Sequence, residues 1–221
     1  MKRSRFMYEK GVQTRNMIYQ TAKQLFYDKG YEKTKIKEIA DTAEVPIGLF
    51  TYYFKTKDKI VQHIYSEFFT QISLRITEAM KDGLDNSILR HAILSWIYYE
   101  IILSDENNRR FYYENLKKTS NYRIMNKTAT QTYRRYVEDF NVVISDHDFQ
   151  NLLYLDFGAR REYFLNFFEK PLADTTDDVI FLINGILPRL LGIDQNTITT
   201  MLYKGINTAK TIYHDDIRFL V

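Results

Sequence analysis

A chain of 221 residues with 45% hydrophobic side chains is long enough to bury a substantial core, in one large domain or two modest ones. It has no cysteine, which excludes disulfides and thiolate chemistry, and only 3 prolines and 8 glycines, too few for a strand-and-turn architecture. The formal charge of +3 conceals a basic head and a slightly acidic body: residues 1–59 hold 13 Lys and Arg against 7 Asp and Glu, residues 60–221 hold 18 against 21, an asymmetry expected where only the head meets nucleic acid.

The start, MKRSRFMYEKG, lacks the apolar segment of a signal peptide, and no apolar run reaches the roughly eighteen residues that cross a bilayer, so a cytoplasmic setting without membrane contact is expected. Lys2, Arg3 and Arg5 read as a loose basic arm. From about Gly11 a first helix runs to Lys29 with Ile18, Ala22, Leu25 and Phe26 on one stripe, and Gly30 ends it. Tyr31 is expected to pack back on a small core of Leu25, Phe26, Ile39, Val45, Phe50 and Phe54. Ile36, Ile39, Ala40 and Ala43 then recur at the spacing of one buried helical face. Glu44, Val45 and Pro46 break that helix, because proline lacks a donor and biases its predecessor toward extended backbone.

After this turn, Ile47 to Phe54 forms another short helix, with Phe50 and Phe54 one turn apart and Leu49, Tyr52 and Tyr53 pointing elsewhere. Two short helices joined by three residues describe a helix-turn-helix, whose second member enters a DNA major groove. Lys55, Lys57 and Lys59 crowd the start of a long fourth helix capped by Thr56. Cations at the positive end of a helix dipole leave a site that an anionic phosphate relieves.

The run from Thr34 through ADTAEVPIGLFTYYFKTKDKI to Ile60, behind a helix ending LFYDKGYEKT, resembles the amino-terminal domain of the TetR family of transcriptional regulators. The resemblance is specific over roughly Arg15 to Ile64; beyond it only the helical character and the length are similar. It implies an all-α fold, with residues 1–58 as a three-helix helix-turn-helix DNA-binding domain and residues 59–221 as a larger helical domain for ligand binding and dimerisation. It implies that the Thr34 hydroxyl, Tyr52 and Lys57 contact phosphates, and that Ile47, Gly48, Leu49, Thr51 and Tyr53 face the groove. Lys35, Pro46 and Lys55 complete the candidate DNA-binding set. Glu44 stands where a glycine commonly sits, and a non-glycine in a left-handed turn costs about 1–2 kcal/mol. Ile47 and Leu49 carry no hydrogen-bonding group, so reading there rests on thymine methyls, with Thr51 and Tyr53 as polar readers and an A·T-rich operator as the consequence.

The fourth helix carries Ile60, Ile64, Phe68, Ile72, Ile76 and Met80 at intervals of four, a stripe too long for the head alone to cover. It therefore links head to body. Gly83 and Asp85 mark a break before a helix from Ile88 to about Ser104 that is apolar nearly all round and hence buried. There Trp96, Tyr99, Glu100 and Leu103 share a side. The Glu100 carboxylate requires either an ion pair with Arg160 or Arg161, or a pocket in which aromatic faces hold a cationic ligand. Amphipathic segments follow at 107–118, 121–140 and 147–168. The candidate effector site comprises Trp96, Tyr99, Glu100, Leu103, Phe157, Arg160, Tyr163, Phe164 and Phe167.

Thr175 with Asp178 forms a capping box ahead of a stripe of Val179, Ile183, Ile186, Leu187, Leu190 and Leu191, which Pro188 is expected to kink at the Asn184 carbonyl. Asp194 caps a final helix with Ile198, Met201, Leu202, Gly205, Ala209 and Ile212 on one side. Two such stripes bury each other or pair with those of a second copy as a four-helix bundle. The family resemblance favours the second, making Ile183 through Ile212 of these stripes the candidate dimer interface.

The four histidines, His63, His91, His147 and His214, are scattered, and no phosphate-binding glycine loop exists, so neither an enzyme nor a metal or organic cofactor is expected. The leading reading is a homodimeric repressor that binds a palindromic double-stranded operator and is released by a small-molecule effector. A DNA-binding regulator that recruits a partner protein, and a helical adaptor without DNA contact, are the alternatives.

Overall fold

The computed structural model describes residues 2–80, 83, 86–119, 121–170 and 174–221, with side chains at all of these except 2–8, 121 and 122. The described residues are helical with no strand. The head contains α1 (Lys2–Lys33), α2 (Ile36–Thr42) and α3 (Ile47–Phe54), and α4 (Lys57–Ala79) leads into the body. The helix of α1 begins well before Gly11, so the backbone of the expected loose arm is helical from Lys2. Gly30 interrupts it at φ 84°, ψ 171°, a region that is essentially glycine-only. Ile18, Ala22, Phe26, Ile39, Ala40, Phe50 and Phe54 close the head core, and Tyr31 is buried against Phe26 as expected.

The body comprises α5 (Ser87–Leu103), α6 (Glu106–Lys118), α7 (Asn121–Asp139), α8 (Asp146–Glu169), α9 (Thr176–Asn184), α10 (Ile186–Leu190) and α11 (Gln195–Ala209). Its hub is α5, buried on nearly every side, onto which α4, α6, α7, α9 and α11 pack. At Gly205 an added Cβ would stand 2.5 Å from that of Ala92; only glycine lets α11 lie so near α5 there. The break between α9 and α10 falls at Gly185, next to the Asn184 carbonyl that Pro188 leaves without an N–H. Asp85, half of the expected break after α4, lies outside the described residues; Gly83 has φ 86°.

This packing corrects the expected dimer interface. Ile183, Leu187, Leu191, Ile198, Leu202, Gly205, Ala209 and Ile212 are buried within one chain, and Ile186 and Met201 are partly so. The reason is that α5 has almost no polar face, so α9 and α11 are consumed in covering it, while α10 packs on α8, α9 and α11. Of the expected set Leu190 alone is strongly exposed. The exposed apolar side chains on this part of the body are Tyr154 and Leu155 on α8, Leu182 on α9, Leu190 on α10 and Tyr203 on α11. Among the described residues no helix is long and apolar enough to cross a membrane.

Candidate nucleic-acid interface and effector cavity

Local sequence builds the helix-turn-helix. The α2 helix ends at Thr42, Glu44 turns the chain at φ 52°, the Val45 amide donates to the Ala40 carbonyl at 3.0 Å, and Pro46 opens α3. Glu44 thus occupies the left-handed position anticipated for it, exposed and without compensating burial. Glu44→Gly is expected to raise head stability by about 0.5–1 kcal/mol, the relieved strain less the extra backbone entropy of glycine, as a shift in denaturant midpoint checks.

Phe50 and Phe54 anchor α3 in the head core, which turns Ile47 (53% exposed), Leu49 (36%) and Tyr52 (74%) outward together with Gly48 and Thr51. Tyr53 is half-buried, its ring edge-on to Tyr52. Thr51 Oγ1 donates to the Ile47 carbonyl at 3.3 Å, so its proton is engaged within α3 and the oxygen remains as an acceptor. Lys35, Pro46, Lys55 and Lys59 are exposed around this face. Lys55 takes φ 61°, ψ −50°, and the Thr56 amide donates to the Phe54 carbonyl across it at 2.6 Å, a tight γ-turn between α3 and α4.

Two expected phosphate contacts point inward. Thr34 is fully buried, with its hydroxyl directed at the carbonyls of Gly30 (2.7 Å) and Leu25 (3.2 Å), because the chain leaving α1 folds over it. Lys57 Nζ donates to the carbonyls of Tyr31 (2.7 Å) and Thr34 (2.6 Å) and lies 4.1 Å from the Tyr31 ring centroid. Burial and the neighbouring Lys118 ammonium hold its pKa below the usual lysine value. Both side chains fix the α1–α2 turn.

Sequence reasoning missed the clasp between this turn and α6. The buried Glu114 carboxylate accepts the Glu32 amide at 2.8 Å, Lys118 Nζ reaches the Tyr31 hydroxyl (2.6 Å) and Asp58 (2.5 Å), and Arg110 donates to the Tyr27 carbonyl at 2.5 Å. The charge pattern of α6 offered a signal, but its partners lie 60 to 87 residues earlier.

Tyr112 and Leu116 of α6 also line a body cavity of about 80 Å³, with Phe69 of α4, Tyr98 and Tyr99 of α5, Tyr133 of α7, and Phe157, Arg160 and Phe164 of α8. It adjoins a second chamber of about 250 Å³ that shares Phe69, His91, Leu94, Thr128 and Thr132. Of the expected effector residues the cavity thus gathers Tyr99, Phe157, Arg160 and Phe164.

The others lie elsewhere. Trp96 Nε1 donates to Asp177 at 2.7 Å, and the Tyr163 hydroxyl to Asp174 at 2.9 Å. Phe167 packs on Phe164 and Phe168, and Leu103 packs at the edge of the core. Glu100 pairs with neither arginine: it accepts from the Thr176 hydroxyl at 2.6 Å, because α9 rather than α8 passes over that face of α5. Arg160 pairs instead with Asp156, one turn back, and Arg161 donates to the Leu116 and Lys117 carbonyls. His91, which faces the void with its Nδ1 2.7 Å from the Tyr136 hydroxyl, is pushed down to about 3 by burial and by Arg160, and so is neutral at pH 7. Among the described residues no three His, Asp or Glu side chains converge as metal ligands.

Comparison with known proteins agrees with this geometry. The family model described as bacterial regulatory proteins, tetR family, matches residues 18–64. The probable HTH-type transcriptional regulator YttP of Bacillus subtilis (strain 168) is 31% identical over 99 residues, 45% of this chain and 46% of that protein. The HTH-type transcriptional repressor NemR of Escherichia coli (strain K12) is 31% identical over 91 residues, 41% of this chain and 44% of that protein. The chain thus covers less than half the length of these relatives. The crystal structure of RolR with resorcinol has the same fold, with a TM-score of 0.63 at 18% identity over 88% of this chain and 95% of that one. Residues 18–64, which span the helix-turn-helix and the start of α4, are thus similar to the tetR family of bacterial regulatory proteins.

Proposed function

We propose that the protein is a cytoplasmic transcriptional repressor that binds a palindromic duplex operator as a homodimer and is released by a small-molecule effector held in the body cavity. The observation that carries the reading is the two-sided build of α3. Phe50 and Phe54 are spent on anchoring, while Ile47, Leu49 and Tyr52 are left to solvent on a helix of eight residues. Large apolar side chains exposed on a short anchored helix suit the thymine methyls of a major groove. Lys35, Lys55 and the Tyr52 hydroxyl are then the phosphate contacts, with Thr34 and Lys57 holding the turn that presents them. Thr51 supplies an acceptor toward base edges, and Gly48 and Pro46 allow the backbone to approach.

A second copy is the occupant suited to the exposed Tyr154 and Leu155 of α8, Leu182 of α9 and Leu190 of α10, the first and second of these helices each packing on the third. A two-fold axis there sets two α3 helices about 34 Å apart or a multiple of it. Leu155→Glu combined with Leu182→Glu is expected to convert the dimer to a folded monomer in sedimentation and to weaken operator binding at least tenfold; an unchanged dimer would place the interface elsewhere. RolR, whose structure is described with resorcinol, supports an effector role for the cavity. Expansion of that void shifts α4 and α6, both of which reach the head. An effector that prefers the DNA-incompetent form by about 10- to 100-fold supplies about 1–3 kcal/mol of coupling per site. Selection from a random duplex pool tests the whole reading. It predicts enrichment of inverted repeats; enrichment of nothing would overturn it.

A further inference from the structure

We infer that the chamber between α4, α5 and α7 binds a small organic oxyanion, a carboxylate or phosphate on a polar body, held between Arg90 and Arg135. The chemistry follows from the chamber alone; the role of the ligand rests on the reading of the body as an effector domain. Both arginines line the chamber, and among the described residues no Asp or Glu does. Arg90 is half-buried and its Nη2 donates to the Thr77 hydroxyl at 3.2 Å. Burial and the neighbouring Arg135 guanidinium hold its pKa below the usual arginine value. Two cations thus face one space, and like charges so placed repel unless an anion stands between them. Asp139, one turn beyond Arg135, is engaged with the Ser87 amide at 2.7 Å, and His91 is neutral. The adjoining cavity brings no relief: Arg160 and Arg161 line it, Asp156 balances only the first, and no described Asp or Glu stands on its wall.

A second observation is independent of the arginines. Ser87, on the chamber wall, is 7% exposed, and its Oγ has no hydrogen-bond partner. Such a buried hydroxyl is uncommon, and this one opens a helix of 17 residues, where the dipole favours negative charge. Guanidinium groups hold carboxylate and phosphate oxygens through paired N–H donors. A cationic ligand would meet both arginines, and an uncharged one would leave their repulsion in place. Ser73, Thr128 and Thr132 add hydroxyls to the wall, which suits a polar body. The chamber of about 250 Å³ exceeds the space on the order of 150 Å³ that holds benzene, so a charged head with a short body fits. Gln131 and Arg135 are exposed, which leaves their side open for entry. A shared anion draws α7 toward α5 beside α4, the helix that leads into the head.

Calorimetric titration of the full chain at pH 7 with glycerol 3-phosphate, succinate and glycerol tests the inference, on the wild type and on Arg90→Gln combined with Arg135→Gln. The expected result is at least one of the two anions binding about tenfold or more tighter than glycerol, and losing about tenfold or more in the double variant. Which anion binds tells a phosphate head from a carboxylate. Without ligand, the thermal midpoint of the double variant is expected to stay level or rise, because a repulsion is relieved; a fall would show the two cations already neutralised and overturn the inference. If the double variant does not fold, Arg135→Gln alone, at an exposed position, makes the same comparison. Neither anion binding, glycerol matching the anions, or anion affinity indifferent to the substitutions, as for an ion held by the basic head, also overturns it. An anion that binds through the two arginines yet leaves duplex affinity unchanged in fluorescence anisotropy upholds the inference and counts against the effector reading instead.

Discussion

Arg160→Ala is expected to destabilise the protein by about 3–5 kcal/mol, the cost of leaving a buried carboxylate without its counter-charge. The Asp156 side chain is fully buried, its Oδ2 is held only 2.6 Å from Arg160 Nε, and its Oδ1 has no other donor to fall back on. Asn184, which accepts from Arg160 Nη1 and donates to the His91 carbonyl at 3.4 Å, loses the first of these bonds as well. For a chain of this length such a loss lowers the unfolding midpoint by roughly 10 °C. Asp156→Leu with Arg160→Met removes both charges and refills the space, so it is expected to cost less than about 2 kcal/mol. Denaturant unfolding of the two variants checks the contrast. If Arg160→Ala costs under about 1 kcal/mol, the carboxylate has water that the packing does not reveal.

Gly30→Ala is expected to cost about 3 kcal/mol, from two sources that act at one atom. The backbone at φ 84°, ψ 171° disfavours any side chain by about 1–3 kcal/mol. An added Cβ would also stand 2.6 Å from Glu114 Oε1, so the carboxylate must swing away and release the Glu32 amide, a charge-assisted bond worth about 1.5–3 kcal/mol. Because the three atoms nearest the added Cβ all belong to Glu114, Gly30→Ala in a Glu114→Ala background should cost little beyond the backbone part, and the two changes together should be less than additive in thermal unfolding. Full additivity would show that Glu114 is not what confines Gly30. The consequence reaches function, since α6 carries Glu114 and Lys118 on its head-facing side and Tyr112 and Leu116 on its cavity side. Under the proposed function, this helix is the path by which a change in the cavity would reach the turn that positions α2 and α3.

What could be read in the chain was local. The Glu44-Val45-Pro46 turn, the glycine at position 30 and the caps at Thr56, Asn86, Asp105, Ser145, Thr175 and Asp194 act over three or four residues; all these side chains accept a backbone amide of the first turn that follows. Of these caps Thr56, Thr175 and Asp194 stand out in the sequence alone. Partners far away in sequence were not legible. Apolar periodicity says that Ile198, Leu202 and Ala209 are buried but not whether α5 or a second copy buries them, and the answer followed from α5 needing cover on every side. A lysine at the start of α4 reads as free for phosphate until the carbonyls of Tyr31 and Thr34 are seen folded over it. Glu100 called for a partner, and the hydroxyl of Thr176 has no charge to advertise it. The Asp156–Arg160 pair stood at helical spacing and was legible in principle; the competing claim of Glu100 on Arg160 concealed it.

The central claim is that the outward face of α3 exists to meet duplex DNA. Tyr52, 74% exposed with its ring edge-on to Tyr53, has little to do within the folded chain, so Tyr52→Ala should change stability by no more than about 0.5 kcal/mol. Fluorescence anisotropy with an inverted-repeat duplex enriched from a random pool, at several salt concentrations, tests the claim directly. The account predicts affinity for the wild type that falls steeply with salt, and a loss of about tenfold in Tyr52→Ala without unfolding. A wild-type protein that ignores duplex DNA even in dilute buffer, or a Tyr52→Ala variant that binds as tightly as the parent, contradicts it.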